Sequence, residues 1–183
     1  IVKITKNGIK TKNEELKFDK IIFATGYDAL SGPILSLNLT GRKNIKLNKY
    51  WKNGPTTYLG LMIPNFPNFF IISGPGSPSV LTNVPAQIQQ HVEWISEFIK
   101  YLEKLKSISV EPEAKEAENW IKKINTLANK SLFMKAKNSW YKGDNIPGKP
   151  KTFIPYPAGL PQYREICNKV QKKMYKGFNI SLK

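Results

Sequence analysis

The sequence holds one cysteine, Cys167, one histidine, His91, and two arginines, Arg42 and Arg164, and these scarcities exclude several classes of function. A lone thiol rules out an internal disulfide and fits a reducing, cytoplasmic setting. Without a second thiol or imidazole, the usual zinc ligand sets cannot be assembled, so no metal site is expected. His91 follows Gln90 in a helical pattern, away from any serine or cysteine constellation. It reads as a solvated or capping residue rather than a catalytic base. No apolar run nears the roughly 18 residues of a membrane span. The longest, Phe66 to Ile72, is broken by Pro67 and Asn68, so no membrane partner is expected. The opening, Ile1-Val2-Lys3-Ile4-Thr5, alternates as a strand does, without a signal peptide and without an initiating Met. A chain cut from a longer one is the expectation.

Acidic residues are scarce too, 13 against 29 basic, for a formal net charge of +16. Such an excess suggests nucleic acid. Base-edge readout, however, leans on arginine forks, and nearly all of these cations are lysines scattered through every element. Lys, Asn and Ile share AT-rich codons, and compositional bias accounts for the charge. No nucleic-acid partner is expected.

The residues present divide the chain into three regions. The first, Ile1 to about Ile72, is strand-rich. Ile1 to Thr5 and Ile9 to Thr11 flank Lys6-Asn7-Gly8, a hairpin signal. The continuous apolar run Ile21-Ile22-Phe23-Ala24 reads as a strand buried on both faces. Tyr58 to Ile63 and Phe69 to Ser73 read as two more, separated by a turn over Pro64 to Asn68. The second region is helical. From Val84, apolar residues recur at Ile88, Val92, Ile95, Ile99, Leu102 and Leu105, behind an Asn83 cap and Pro85 in the first turn. Another helix spans about Pro112 to Ala136 on a stripe of Ala117, Ile121, Ile124, Ala128 and Leu132. Its charges suit the helix dipole, with Glu111, Glu113, Glu116 and Glu118 early and Lys130, Lys135 and Lys137 late. The third region opens on a Gly- and Pro-rich aromatic loop and ends in a helix from Pro161, with Tyr163, Ile166, Val170 and Met174 on one face. Alternating strands and helices predict an α/β fold.

Three segments carry chemical potential. Phe23-Ala24-Thr25-Gly26-Tyr27-Asp28 ends the apolar strand, where open α/β sheets gather ligands and small residues let a cofactor approach. Its bland reading is a strand-ending turn. Ser73-Gly74-Pro75-Gly76-Ser77-Pro78-Ser79 imitates a dinucleotide fingerprint, but two prolines and the helix that follows make the literal motif wrong. What remains is a glycine loop leading to a helix N-terminus whose N–H groups face an electron-rich atom, such as a flavin carbonyl. The third, Ser139 to Pro150, sets Trp140 and Tyr141 beside glycines and prolines. It suits a mobile lid with an indole donor, or a plug for the core.

The order and wording of these segments resemble the Baeyer–Villiger branch of the flavin-containing monooxygenases. The resemblance runs from Phe23 to Asp28 through Trp51-x-x-Gly54-Pro55-x-x-Tyr58-Leu59-Gly60, Phe66-Pro67-Asn68 and Gly74 to Asn83. It continues through Gln90 to Ile95, Glu116-Ala117-Glu118-x-x-Trp120, Ser139 to Lys151, Phe153-x-Pro155-Tyr156 and the Cys167 helix ending at Gly177-Phe178. Nine such segments in sequence are specific where one is weak.

The resemblance implies the C-terminal portion of a flavoprotein with two dinucleotide-binding domains, Rossmann-like strands plus C-terminal helices, incomplete as a fold. Residues 1–30 would end the NADP-binding domain with its return strand. Residues 31–183 would be the C-terminal part of the FAD-binding domain, including its helices and the loop 138–151. FAD and NADP(H) are the implied cofactors, with O2 and a ketone as substrates and the remaining N-terminal FAD and NADP domains as partner. One oxygen atom would enter the ketone to give an ester or lactone. The implied cofactor contacts are Ala24, Thr25 and Gly26 at the passage between domains, Ser79, Val80, Leu81, Thr82 and Asn83 beside the flavin, and Trp140 over NADP. Leu81 and Val84 would face the substrate pocket. Asp144 stands where the family has a small residue. Both G-x-G-x-x-G fingerprints are missing, and neither Arg42 nor Arg164 sits in a matching motif, so no catalytic residue is assigned. Three alternatives accompany this reading: an N- or S-oxygenating flavin monooxygenase, a basic module for nucleic acid or anionic surfaces, and a non-functional remnant.

Overall fold

A computed structural model describes residues 1–183 of the chain apart from Thr25 and Tyr27. The expected hairpin forms as β1 (Lys3–Thr5) and β2 (Gly8–Lys10), pairing Ile4 with Ile9 across the Asn7-Gly8 turn. A third antiparallel strand, β3 (Glu15–Lys17), extends it into a small meander. The run Ile21 to Ala24 is not a strand. Ile22 is 90% exposed and Phe23 64%, against the expected double burial. A strand is held by the edge it pairs with, and among the described residues no strand lies alongside this one.

Two short helices follow, α1 (Gly32–Ser36) and α2 (Leu47–Tyr50). Leu47 and Trp51 pack with Ile63, Phe66 and Ile71 into a small apolar cluster. Where two strands were expected, Tyr58 to Ile63 and Phe69 to Ser73, only the bridges Tyr58–Met62 and Met62–Phe70 form. Leu59 and Gly60 take left-handed backbone angles, φ 57° and 71°, and close a turn where a strand would run on.

The main core is assembled by three long helices, α3 (Val84–Lys104), α4 (Ala114–Asn129) and α5 (Gly159–Lys172), packed around the segment from Tyr58 to Met62. The Asn83 side chain accepts the Ala86 N–H and caps α3 as expected. The buried face of α3, however, is Gln87, Gln90, His91, Trp94, Ile95, Phe98 and Leu102. Ile88, Val92 and Ile99 lie on its flank, each about 40% exposed. Aromatic residues outcompete the aliphatic stripe for the interior. Phe98 stacks on Tyr175 with centroids 4.0 Å apart, and the Trp94 indole donates to the Cys167 carbonyl at 3.0 Å.

The sequence reading placed a helix start where β4 (Ser107–Pro112) ends. β4 pairs antiparallel with β5 (Phe178–Leu182), a strand the periodicity did not announce. Glu111 therefore lies on a strand, ion-paired to Arg42, and Glu113 is the N-cap residue of α4. α4 stops at Asn129, where Ser131 caps a separate turn, so Leu132 is 77% exposed. The buried face is Ala117, Trp120, Ile124 and Ala128, with Trp120 in place of the expected Ile121, which is only partly buried. Met174, expected on the buried face of α5, is 70% exposed. Met174 and Tyr175 adopt φ of 52° and 55°, and this reversal carries Tyr175 into the core instead.

Candidate functional site

The loop from Ser73 to Ser79 is fixed from inside. Ser73, left-handed at φ 57°, donates its N–H to His91 Nδ1 at 3.0 Å. Gln87 Nε2 donates to Ser73 Oγ at 3.2 Å and to Ser77 Oγ at 3.1 Å, and Ser77 Oγ donates to the Gly74 carbonyl at 2.7 Å. Gly76, at φ 91°, presses against Thr57 and Trp120. A Cβ there would fall 2.7 Å from Thr57 Oγ1. The Trp120 indole N–H donates to the Gly76 carbonyl at 3.0 Å. Apart from half-buried Ser73 these polar groups are buried, and each hydrogen bond offsets a desolvation cost.

His91 is thus a wholly buried acceptor, correcting its reading as a solvated or capping residue. Burial pushes its pKa down to about 4, so the ring is neutral, with the proton on Nε2 while Nδ1 accepts. Burial also pushes the Cys167 thiol up to about 12, which removes it as a nucleophile at neutral pH. No group of three or more His, Cys, Asp or Glu among the described residues is placed to hold a metal.

The segment from Phe153 to Tyr156 lies between this loop and the one at 139–150. Gly76 N–H donates to the Ile154 carbonyl, Tyr156 N–H to the Ser77 carbonyl and Ile154 N–H to the Tyr141 carbonyl, each at 2.8 Å. Tyr141 packs on Phe133 and Phe153 and is the plug of this corner. Trp140 stacks on Tyr141 with centroids 4.3 Å apart, and its indole N–H makes no hydrogen bond to a described residue. Of the two aromatics, Tyr141 is thus the one packed against the main core. Asp144 accepts the Ser139 N–H and pairs with Lys142 at 3.1 Å. Burial tends to raise its pKa, but hydrogen bonds from Lys142 and the Ser139 N–H, with the charges of Lys142 and Lys151, leave it lowered. It folds the loop onto itself.

Beneath Trp140 lies a cavity of about 440 Å³, lined by Gly26, Ala29, Leu30, Val80, Trp140 and Asn145. Three expected site residues, Gly26, Val80 and Trp140, converge here from segments far apart in the chain. The other described ones do not line it. Ala24 is exposed, Ser79 is buried, Leu81 packs toward the main core, and Asn83 is engaged as a helix cap. Thr82 and Val84 are half-buried. Thr25 lies outside the described residues. Ala29, Leu30 and Asn145 were not expected as site residues, although Asn145 lies within the Ser139 to Pro150 segment and Ala29 directly follows the Phe23 to Asp28 segment. The lining is mainly apolar with an indole donor that bonds no described residue, which suits a flat heteroaromatic ring. A second cavity of about 440 Å³ opens between α3 and α5 beside Glu93, Glu97 and Arg164. It brings together no two of the expected site residues.

No family model matches the chain. A cyclohexanone 1,2-monooxygenase of Acinetobacter sp. is 38% identical over 183 residues, all of this chain and 33% of that protein. A Baeyer–Villiger monooxygenase of Pseudooceanicola batsensis is 40% identical over 176 residues, 96% of this chain and 32% of that protein. The closed crystal structure of a cyclohexanone monooxygenase matches the fold with a TM-score of 0.94 at 36% identity, over 100% of this chain and 34% of the other. The chain spans about one third of the length of these relatives. Among the described residues, no helix is long and apolar enough to cross a membrane.

Proposed function

This chain belongs to the Baeyer–Villiger monooxygenases as a piece one third their length, and we propose that it serves an FAD- and NADPH-dependent enzyme that inserts one oxygen atom from O2 into a ketone. The observation that carries the proposal is the convergence of Gly26, Val80 and Trp140 on one cavity. Reduced FAD, when bound, supplies the oxygen-transfer chemistry. The residues of this chain bind and shield. Val80 and Leu30 give the cavity apolar walls, and Trp140 offers an indole donor to a ribose or carboxamide of NADP. Ala24, Thr25 and Gly26 let the cofactor approach the passage between domains. Ser79 to Asn83 border the flavin, with Leu81 and Val84 toward the substrate. The cavity has room for a ring and its sugar rather than a whole dinucleotide, which agrees with a chain lacking both phosphate-binding fingerprints.

In this reading residues 1–30 close the NADP-binding domain and residues 31–183 belong to the FAD-binding domain. It is supported by the separate sheet of β1 to β3, none of whose residues joins either buried cluster. The test is to express the full-length polypeptide and follow NADPH oxidation with a panel of cyclic ketones, an amine and a sulfide. Ketone-dependent oxidation with ester or lactone as product is expected. Turnover of the amine or sulfide alone would overturn the reading.

A further inference from the structure

The cavity has two walls from distant parts of the chain, one with Gly26, Ala29 and Leu30 and one from the loop that carries Trp140 and Asn145. Among the described residues, one ion pair joins them directly. Lys149 Nζ reaches the Asp28 carboxylate across 121 residues of sequence. Both partners are placed by local packing. The Lys149 side chain is only 10% exposed. Its stem lies against Gly143, where an added Cβ would stand 3.3 Å from Lys149 Cδ. Asp28 rests on Gly32 so closely that a Cβ there would fall 2.7 Å from Asp28 Cγ. The pair Lys142–Asp144 folds the loop internally, and the pair Lys149–Asp28 moors it to the opposite wall.

We propose that Asp28 and Lys149 form a clasp that positions Trp140 over the cavity, and so govern how long a nicotinamide cofactor is held there. The inference rests on the functional reading only for the identity of the ligand. The mooring itself follows from the ion pair and its two glycine cradles. A charge-assisted hydrogen bond whose lysine is largely buried, though its Asp28 side chain is 36% exposed, resists opening more than a fully exposed surface pair does. Its place two residues after Gly26 and four before Gly32 lets either wall transmit a shift to the other.

The experiment uses the full-length flavoprotein with Asp28→Asn, Lys149→Met, the exchange Asp28→Lys with Lys149→Asp, and Gly32→Ala. The first readout needs no cofactor: chymotryptic cleavage after Trp140 or Tyr141 in the apoprotein. Either single variant should speed cleavage by roughly tenfold, and the exchange should return it to within about twofold of wild type. Gly32→Ala, which displaces Asp28 without touching its charge, should match Asp28→Asn and add nothing to it. The second readout is the dissociation rate of NADP+ from the oxidised protein, which should rise in the same variants and recover in the exchange. Singles that cleave like wild type, or an exchange that fails to recover, would overturn the clasp. A wild-type protein that retains no NADP+ would count against the functional reading instead, and the cleavage ratios would then judge the clasp alone.

Discussion

His91 makes the neutral form of one imidazole a condition of the native loop, and pH should reveal it. Its Nδ1 accepts the Ser73 N–H, and the native pKa lies near 4 against an ordinary value of 6.5, because burial disfavours the charged ring. A group whose native pKa is depressed binds its proton more readily when unfolded. The stability it confers is therefore complete above about pH 6.5 and is lost as pH falls from there to about 4. The gap is worth about 3 kcal/mol, a large fraction of the stability of a chain this size. The assay compares urea unfolding of wild type and His91→Asn between pH 7.5 and pH 4. Asparagine keeps an acceptor for Ser73 and has no proton to take up. Wild type should lose up to about 3 kcal/mol more than the variant over that interval, the carboxylates cancelling in the comparison. His91 is the only histidine, so its ring resonances are unambiguous in NMR. Parallel loss in the two proteins, or a ring that titrates above pH 6, would refute the argument.

Other consequences are open to direct measurement. Trp140→Ala in the full-length enzyme should lower the ratio of oxygenated product to NADPH consumed, with a binding loss of about 1–3 kcal/mol and little change in melting temperature, because Tyr141 rather than Trp140 fills the core. Trp120→Phe strands the Gly76 carbonyl and should cost about 1–3 kcal/mol in urea unfolding without altering the charge of any group. The isolated chain should purify without stoichiometric flavin, which absorbance near 450 nm reads directly, since neither phosphate-binding fingerprint is in its sequence. It should also bind an apolar dye strongly, and the substitutions Ile88→Lys and Val92→Glu should reduce that signal while leaving helix content unchanged.

What the sequence disclosed of the fold follows from how local each signal is. The Asn7-Gly8 turn, the Asn83 cap and the three long helices are written within a few residues, and all appear. The strand expected over Ile21 to Ala24 depends on a partner edge that no local pattern contains, and apolar composition alone did not make one. β4 and β5 failed in the opposite sense. Ser107–Pro112 and Phe178–Leu182 are short, with little apolar alternation to read, yet they pair because the ends of α3 and α5 deliver them side by side.

The site was legible in its residues and illegible in its supports. Gly26, Val80 and Trp140 could be singled out because each stands in a segment of unusual composition, and the fold brings them to one cavity. His91 and Gln87 could not, because a helix read by hydrophobic period assigns polar side chains to water. On α3 the reverse holds: the aliphatic Ile88, Val92 and Ile99 are turned outward while Gln87 and His91 are buried. The cause is the loop from Ser73 to Ser79. The N–H of left-handed Ser73 finds its acceptor in the His91 ring, and the Ser73 and Ser77 hydroxyl oxygens find a donor in the Gln87 amide, both supplied by a neighbouring helix from within the core. A buried polar residue on a helix opposite a glycine- and proline-rich loop is thus the mark of a loop held in one shape. Here that loop leads directly into Val80, in the cavity wall itself.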